Sequence, residues 1–258
     1  MHFFIFQLLE LNQIKAKNSL LALLKRAPHD LTVLKELRPL LIELSDYSLC
    51  AELYEAASAH YSTTFPGGRG INPETGQEVP GGGYSLMEIL VLADLYNTMG
   101  DHDKAIRVIR SGCRWLQGRD SQKLWDSCED DREYDETDWR LGSGRGHELA
   151  PGKYPLEVNA RHRLAVARIK MGDIEEGMVC YHIVQARPRV LIQRKAHASI
   201  VLSQDVVDYA PLFVEIADAY FDREMYAQAR PIYEMLGQDA GVRWLSITSS
   251  LADCICHP

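Results

Sequence analysis

Between residues 87 and 116 the spacing of apolar residues admits few folds. Ile89, Leu92, Ala93 and Tyr96 recur at intervals that place them on one face of a helix. Met99-Gly100-Asp101 follows, and a glycine can end a helix in a left-handed conformation at little cost. Ala105, Ile106, Ile109 and Gly112 then restart the same periodicity. This spacing predicts two antiparallel helices joined by a tight turn, with small residues where the backbones approach most closely and large ones filling the groove beside them. One such pair cannot bury its own apolar face, so the chain must supply neighbours.

The order of these residues matches the tetratricopeptide consensus, and copies of it recur. Aligning a small residue with a large one four positions later gives Cys50/Tyr54, Ala105/Ile109, Gly177/Tyr181 and Ala229/Tyr233. A weaker early copy lies at Ala16/Leu20, followed by Leu23 and Pro28. The first interval is 34 residues, the tetratricopeptide period; the later ones are 55, 72 and 52, so insertions separate the remaining units. The expected fold class is all-α, a tetratricopeptide-repeat helical solenoid with loop insertions and no sheet beyond incidental pairing. The expected segments are N-terminal repeat-like helices over 1–61 and a Gly/Pro-rich loop over 62–83, read as a flexible connector. A central unit follows over 84–117, then an acidic insertion and linker over 118–153. Further units span 154–241, and 242–258 is an irregular tail. Pro39 should kink the helix that contains it. The large residues Tyr54, Ile109, Tyr181 and Tyr233 should be buried between helices. The tail lacks the polar capping helix that normally closes an array, which points to a piece of something longer.

Charge is distributed unevenly. Residues 126–138 hold eight acids (Asp126, Glu129, Asp130, Asp131, Glu133, Asp135, Glu136 and Asp138) against Arg132, and so carry −7 of the chain's net −8. The remaining body is nearly neutral and offers no broad phosphate-binding surface, which needs clustered Lys and Arg. Charges this dense repel one another and cannot be buried unpaired, so 126–138 is expected to be mobile and outside the helical core. Its aromatic neighbours Trp125, Tyr134 and Trp139 give it something to bury when a partner arrives. Six cysteines show no disulfide framework; Cys50 and Cys180 fall on inner helix faces, as suits reduced thiols. The apolar opening residues lack a basic start and soon meet Glu10, so they read neither as a signal peptide nor as a membrane span.

Catalysis needs groups set against one another, and the usual sets are missing. No GxSxG, HExxH or GxGxxG occurs, and the glycine-rich 66–83 stretch lacks GxxxxGK[ST] and a preceding strand. Cys254-x-Cys256-His257 offers three ligands where a zinc site wants four. The clustered carboxylates lack the alternating spacing of a calcium loop. No enzyme activity, cofactor or metal is expected. What remains is a binding module.

The run Arg114-Trp115-Leu116-Gln117-Gly118-Arg119, then Trp125-Asp126, Asp130-Asp131-Arg132-Glu133-Tyr134-Asp135 and Tyr154-Pro155-Leu156, resembles the tetratricopeptide-array subunit of transcription factor IIIC, above all in fungi. Residues 209–220 resemble later repeats of the same family. The resemblance implies a non-catalytic nuclear scaffold whose groove receives initiation-factor subunits of RNA polymerase III and holds together the other subunits of the factor. DNA would be met only indirectly through the complex, and no membrane is involved. The first helix of each pair would turn Asp94, Asn97, Lys170, Asp218 and Asp222 toward that groove. The acidic insertion, through Trp125, Asp130, Asp131, Glu133, Tyr134 and Asp135, would either engage a basic partner or occupy the groove itself. The alternative is a generic tetratricopeptide adaptor of the cochaperone type that captures peptide carboxylates. It is weakened by the acids at Asp94, Asp218 and Asp222, where such capture needs Lys, Arg and Asn.

Overall fold

A computed structural model describes residues 2–71, 76–134, 156–180 and 213–237, with the side chains of 2–11 and Arg132 excepted. The chain divides into two compact units, Met1–Cys128 and Glu129–Pro258. The described residues are predominantly helical, so the all-α expectation holds at that level.

In the first unit α1 (His2–Leu24), α2 (Leu31–Glu43), α3 (Tyr47–Thr64), α4 (Leu86–Thr98) and α5 (His102–Leu116) follow in order, each packing on the next. Local chemistry sets the starts. Asp30 caps α2 by accepting from the amides of Thr32 at 2.9 Å and Val33 at 3.3 Å. Ser85 and Glu88 form a reciprocal capping box on α4. Pro39 does not divide α2, which runs continuously through it with the proline on the exposed side. The core is the expected periodic set: Leu34, Leu37, Leu41, Cys50, Tyr54, Ile89, Leu92, Ala93, Tyr96, Ala105 and Ile109 are all buried. α4 and α5 are closely packed at Gly112, where an added Cβ would come within 2.8 Å of the Ile89 side chain. The weak early copy behaves differently. α1 has no turn, Ala16 is exposed and Leu23 is 47% exposed, so it does not share the buried register of the other copies.

The described parts of the glycine-rich stretch are packed rather than an open connector. Two short strands, β1 (Arg69–Ile71) and β2 (Glu78–Pro80), pair antiparallel with Gly70 opposite Val79. The indole N–H of Trp115 on α5 donates to the carbonyl of Phe65 at 2.8 Å, and the hydroxyl of the buried Tyr84 donates to the carbonyl of Tyr54 at 3.3 Å.

In the second unit α6 (Val158–Met171) leads into α7, helical over 174–180, while α8 covers 213–221 and α9 spans Tyr226–Gly237. Tyr233 and Ala229 are buried, as expected of the last pair; Tyr181 lies outside the described residues.

One turn recurs in both units. The amides of Asp46, Asp101, Asp173 and Met225 bond back to the carbonyls of Leu41, Tyr96, Arg168 and Tyr220 at 2.8, 2.9, 2.9 and 3.0 Å. Between them Ser45, Gly100, Gly172 and Glu224 take φ of 57°, 81°, 97° and 59°. This is the Schellman closure, in which a left-handed residue lets the chain satisfy the last free carbonyls of a helix. It stands at the same distance before Cys50, Ala105, Gly177 and Ala229 in every case.

Candidate protein-binding surfaces

The RWLQGR…WD run owes its residue types to a clamp at the end of α5. Arg110 and Arg114 are buried, and both reach the single-turn helix Lys123–Ser127 that folds back on α5. Arg110 Nη1 donates to the carbonyl of Cys128 at 2.7 Å, and its Nη2 donates to the carbonyl of Trp125. Arg114 pairs with Asp126, whose own side chain is 52% exposed. Gly118 takes a left-handed φ of 70° so that the chain can leave the helix here. Trp125 is thereby held half-buried, while Leu124 beside it is exposed.

In the second unit the acids are not confined to the surface. Asp131 is fully buried and receives Arg168 at both oxygens, with Nε at 3.2 Å and Nη2 at 3.1 Å. The third arm of Arg168, Nη1, reaches Asp173 at 3.1 Å. Glu176 accepts the Asp131 amide at 3.0 Å, and Arg161 Nη2 donates to the carbonyl of the buried Tyr134 at 2.8 Å. Burial works against the Arg168 charge, yet Asp131, Asp173 and Glu176 together outweigh it and raise the pKa above the ordinary arginine value. The expectation that 126–138 lies outside the helical core therefore fails for Asp131, Glu133 and Tyr134, all of which are buried. Dense charge repels only where it is unmatched, and here Arg168 on α6 matches Asp131. Asp130 is half-buried; Asp135 lies outside the described residues.

Asp131, Glu176 and Cys180 bring their ligand atoms within 4.8 Å of one another. Arg168 already takes both Asp131 oxygens, so this is an ion-pair network in chemistry, and a cation would have to displace the guanidinium. Burial pushes the Cys180 thiol up to about 12, which leaves no thiolate near neutral pH.

Of the residues expected to face a groove, Asp94, Asn97, Lys170 and Asp218 stand on first helices and Asp222 lies in the turn after α8. Asp94 and Asn97 are half-buried on α4, with Asn97 Oδ1 3.0 Å from His102 Nδ1. In the second unit Lys170 is half-buried near the end of α6, and its carbonyl accepts from Arg223 Nη1 at 2.8 Å. That bond brings the end of α6 to the residue next to Asp222. Asp218 and Asp222 are exposed, and Asp218 accepts the Tyr233 hydroxyl at 2.5 Å. His162 of α6 is buried against Glu215 of α8 at 3.0 Å, and it holds that carboxyl below its ordinary range.

Sequence reasoning missed the arginines. Counted back from Gly172, Arg161 and Arg168 occupy the positions that Ile89 and Tyr96 occupy before Gly100. Cations in a buried apolar register signal a charged neighbour, and that signal was present.

No known protein-family profile matches the chain. Over 213 residues it is 26% identical to the transcription factor tau subunit sfc4 of Schizosaccharomyces pombe, a match covering 81% of this chain and 18% of that protein. Over 168 residues it is 25% identical to the transcription factor tau 131 kDa subunit of Saccharomyces cerevisiae, covering 64% and 15%. The chain thus spans less than a fifth of the length of these curated relatives. It is a distant relative of subunits of transcription factor tau, the yeast transcription factor IIIC.

Proposed function

We propose that this chain is a stretch of a tetratricopeptide-repeat array serving as a non-catalytic scaffold in a transcription factor IIIC-type complex. In this reading it acts in the nucleus and assembles other subunits of the factor with initiation-factor subunits of RNA polymerase III at transfer RNA genes. The supporting observation is the helix closure repeated at Ser45, Gly100, Gly172 and Glu224, always at one distance before a buried small residue. A turn fixed in this way sets each helix pair at a similar angle, which is what a stacked array requires. Asp94 and Asn97 on α4, Lys170 on α6, Asp218 on α8 and Asp222 in the turn that follows it are the proposed groove residues. Their acidic balance favours a basic partner segment over a peptide carboxylate. Within the acidic stretch, Trp125 and Asp130 are the proposed contacts, since Asp131, Glu133 and Tyr134 are committed internally.

The test is co-expression of the full chain with the other subunits of the factor and with initiation-factor subunits, followed by size-exclusion chromatography. Co-elution with at least one of them is expected, and reversing Asp94, Asp218 and Asp222 to Lys should abolish it. Failure to co-elute with any of them, or co-elution unchanged by the reversal, would overturn the reading.

A further inference from the structure

We propose that Ser127 is a phosphorylation site for a serine kinase that reads acidic residues downstream of its target. Ser127 is exposed at the end of the single-turn helix Lys123–Ser127 and is followed in sequence by Cys128, Glu129, Asp130 and Asp131. Glu129 is exposed and Asp130 half-buried, whereas Asp131 is buried in its pair with Arg168. The acids at the second and third positions after the serine are therefore the ones a kinase can read. Ser121, also exposed, is followed by Gln122, Lys123 and Leu124 and offers no such acids.

In the reaction the Ser127 hydroxyl oxygen attacks the γ-phosphorus of a nucleoside triphosphate. The new oxygen–phosphorus bond forms as the bond to the β-phosphate oxygen breaks. The nucleoside diphosphate leaves with that electron pair, and the serine proton passes to the base of the kinase.

The surroundings make the modification consequential. The Ser127 hydroxyl donates to the Leu124 carbonyl at 2.8 Å, and a phosphate ester has no proton to give there. The added group brings roughly −1.5 to −2 of charge next to Asp126, the existing partner of the buried Arg114. Phosphate then competes with Asp126 for Arg114 and repels the Leu124 carbonyl. The turn that carries Leu124 and Trp125 loosens as a result. This inference stands apart from the groove reading, since it needs none of the groove residues.

The experiment incubates the purified full chain with ATP and an acid-directed serine kinase, then maps phosphate by peptide mass spectrometry. Phosphate is expected on Ser127 and not on Ser121, with incorporation lost in Ser127→Ala and slowed several-fold in Glu129→Gln/Asp130→Asn. The phosphorylated chain should also show altered tryptophan emission. Absence of phosphate from Ser127 in the folded wild-type chain would overturn the proposal, as would wild-type rates in the Glu129→Gln/Asp130→Asn variant. Mapping on the wild-type chain decides the matter whether or not a variant folds.

Discussion

Asp131 and Arg168 meet as a two-point ion pair inside the second unit, both buried and 37 residues apart in sequence. The pair ties the acidic stretch to α6. Arg168 reaches Asp173 with its remaining arm, so one side chain also braces the turn between α6 and α7. Taking two charges out of water is costly, and the geometry offsets that cost only while both partners are present.

Arg168→Ala is therefore expected to destabilise the chain by about 3–5 kcal/mol, because it leaves Asp131 buried without its counter-charge. Arg168→Met combined with Asp131→Leu should cost markedly less than the single change. Urea unfolding of the wild type, Arg168→Ala and the Arg168→Met/Asp131→Leu variant checks it, and equal losses in the single and double variants would contradict the pairing.

The recurring turn gives a second prediction. Ser45 and Glu224 adopt a backbone conformation that glycine takes freely, whereas for other residues it costs roughly 1–2 kcal/mol. Ser45→Gly and Glu224→Gly should each stabilise by up to about 1 kcal/mol, less the extra entropy glycine has when unfolded. Gly100→Ala should destabilise by a similar amount. A denaturant midpoint that falls for Ser45→Gly would refute the argument.

These turns also show what could be read in the sequence. Gly100 and Gly172 announce their conformation, but Ser45 and Glu224 do not, because there the closing bonds to Leu41 and Tyr220 impose it on an ordinary residue. Tyr54, Ile109 and Tyr233 were legible as core because helical periodicity is a local property. The fate of Asp131 was not, since its partner is remote and a run of acids looks alike whether solvated or matched. The pairing of β1 with β2 was hidden for a similar reason: the segment that leads into it is held by Trp115 reaching Phe65 from another helix.

Glu88 supplies a pH dependence. Burial alone would raise its pKa, but hydrogen bonds from Lys35 and from the hydroxyl and amide of Ser85 outweigh burial and lower it below 4.5. A carboxyl depressed by folding contributes stability above its unfolded pKa, and that contribution is lost as pH falls through the folded value. Glu88→Gln should therefore lower stability at neutral pH and flatten the acid limb of a thermal-midpoint profile below about pH 4.5. A variant profile parallel to wild type across that limb would rule this out.

Tyr233 joins packing and polarity in one residue, since its ring is buried against α8 and its hydroxyl reaches Asp218. Tyr233→Ala should cost on the order of 3 kcal/mol through the cavity it leaves. Tyr233→Phe removes only the hydrogen bond and should cost about 1.5 kcal/mol or less. If both variants cost the same small amount, the ring is not packed as described.

The last prediction concerns the surface acids. A basic partner segment would feel Asp94, Asp218 and Asp222 over distances that salt screens beyond about 10 Å at 0.1 M. Binding to Lys- and Arg-rich initiation-factor segments should therefore weaken as salt rises. Neutralising Asp94, Asp218 and Asp222 with Asn should lower both the affinity and its salt dependence. Asp131→Asn offers the contrast: buried against Arg168, it should change stability and leave the salt dependence of binding untouched. Titrations of these variants of the chain, followed by fluorescence anisotropy of a labelled basic segment at several salt concentrations, separate the two effects. An affinity unchanged by the surface substitutions at every salt concentration would remove these acids from the interface.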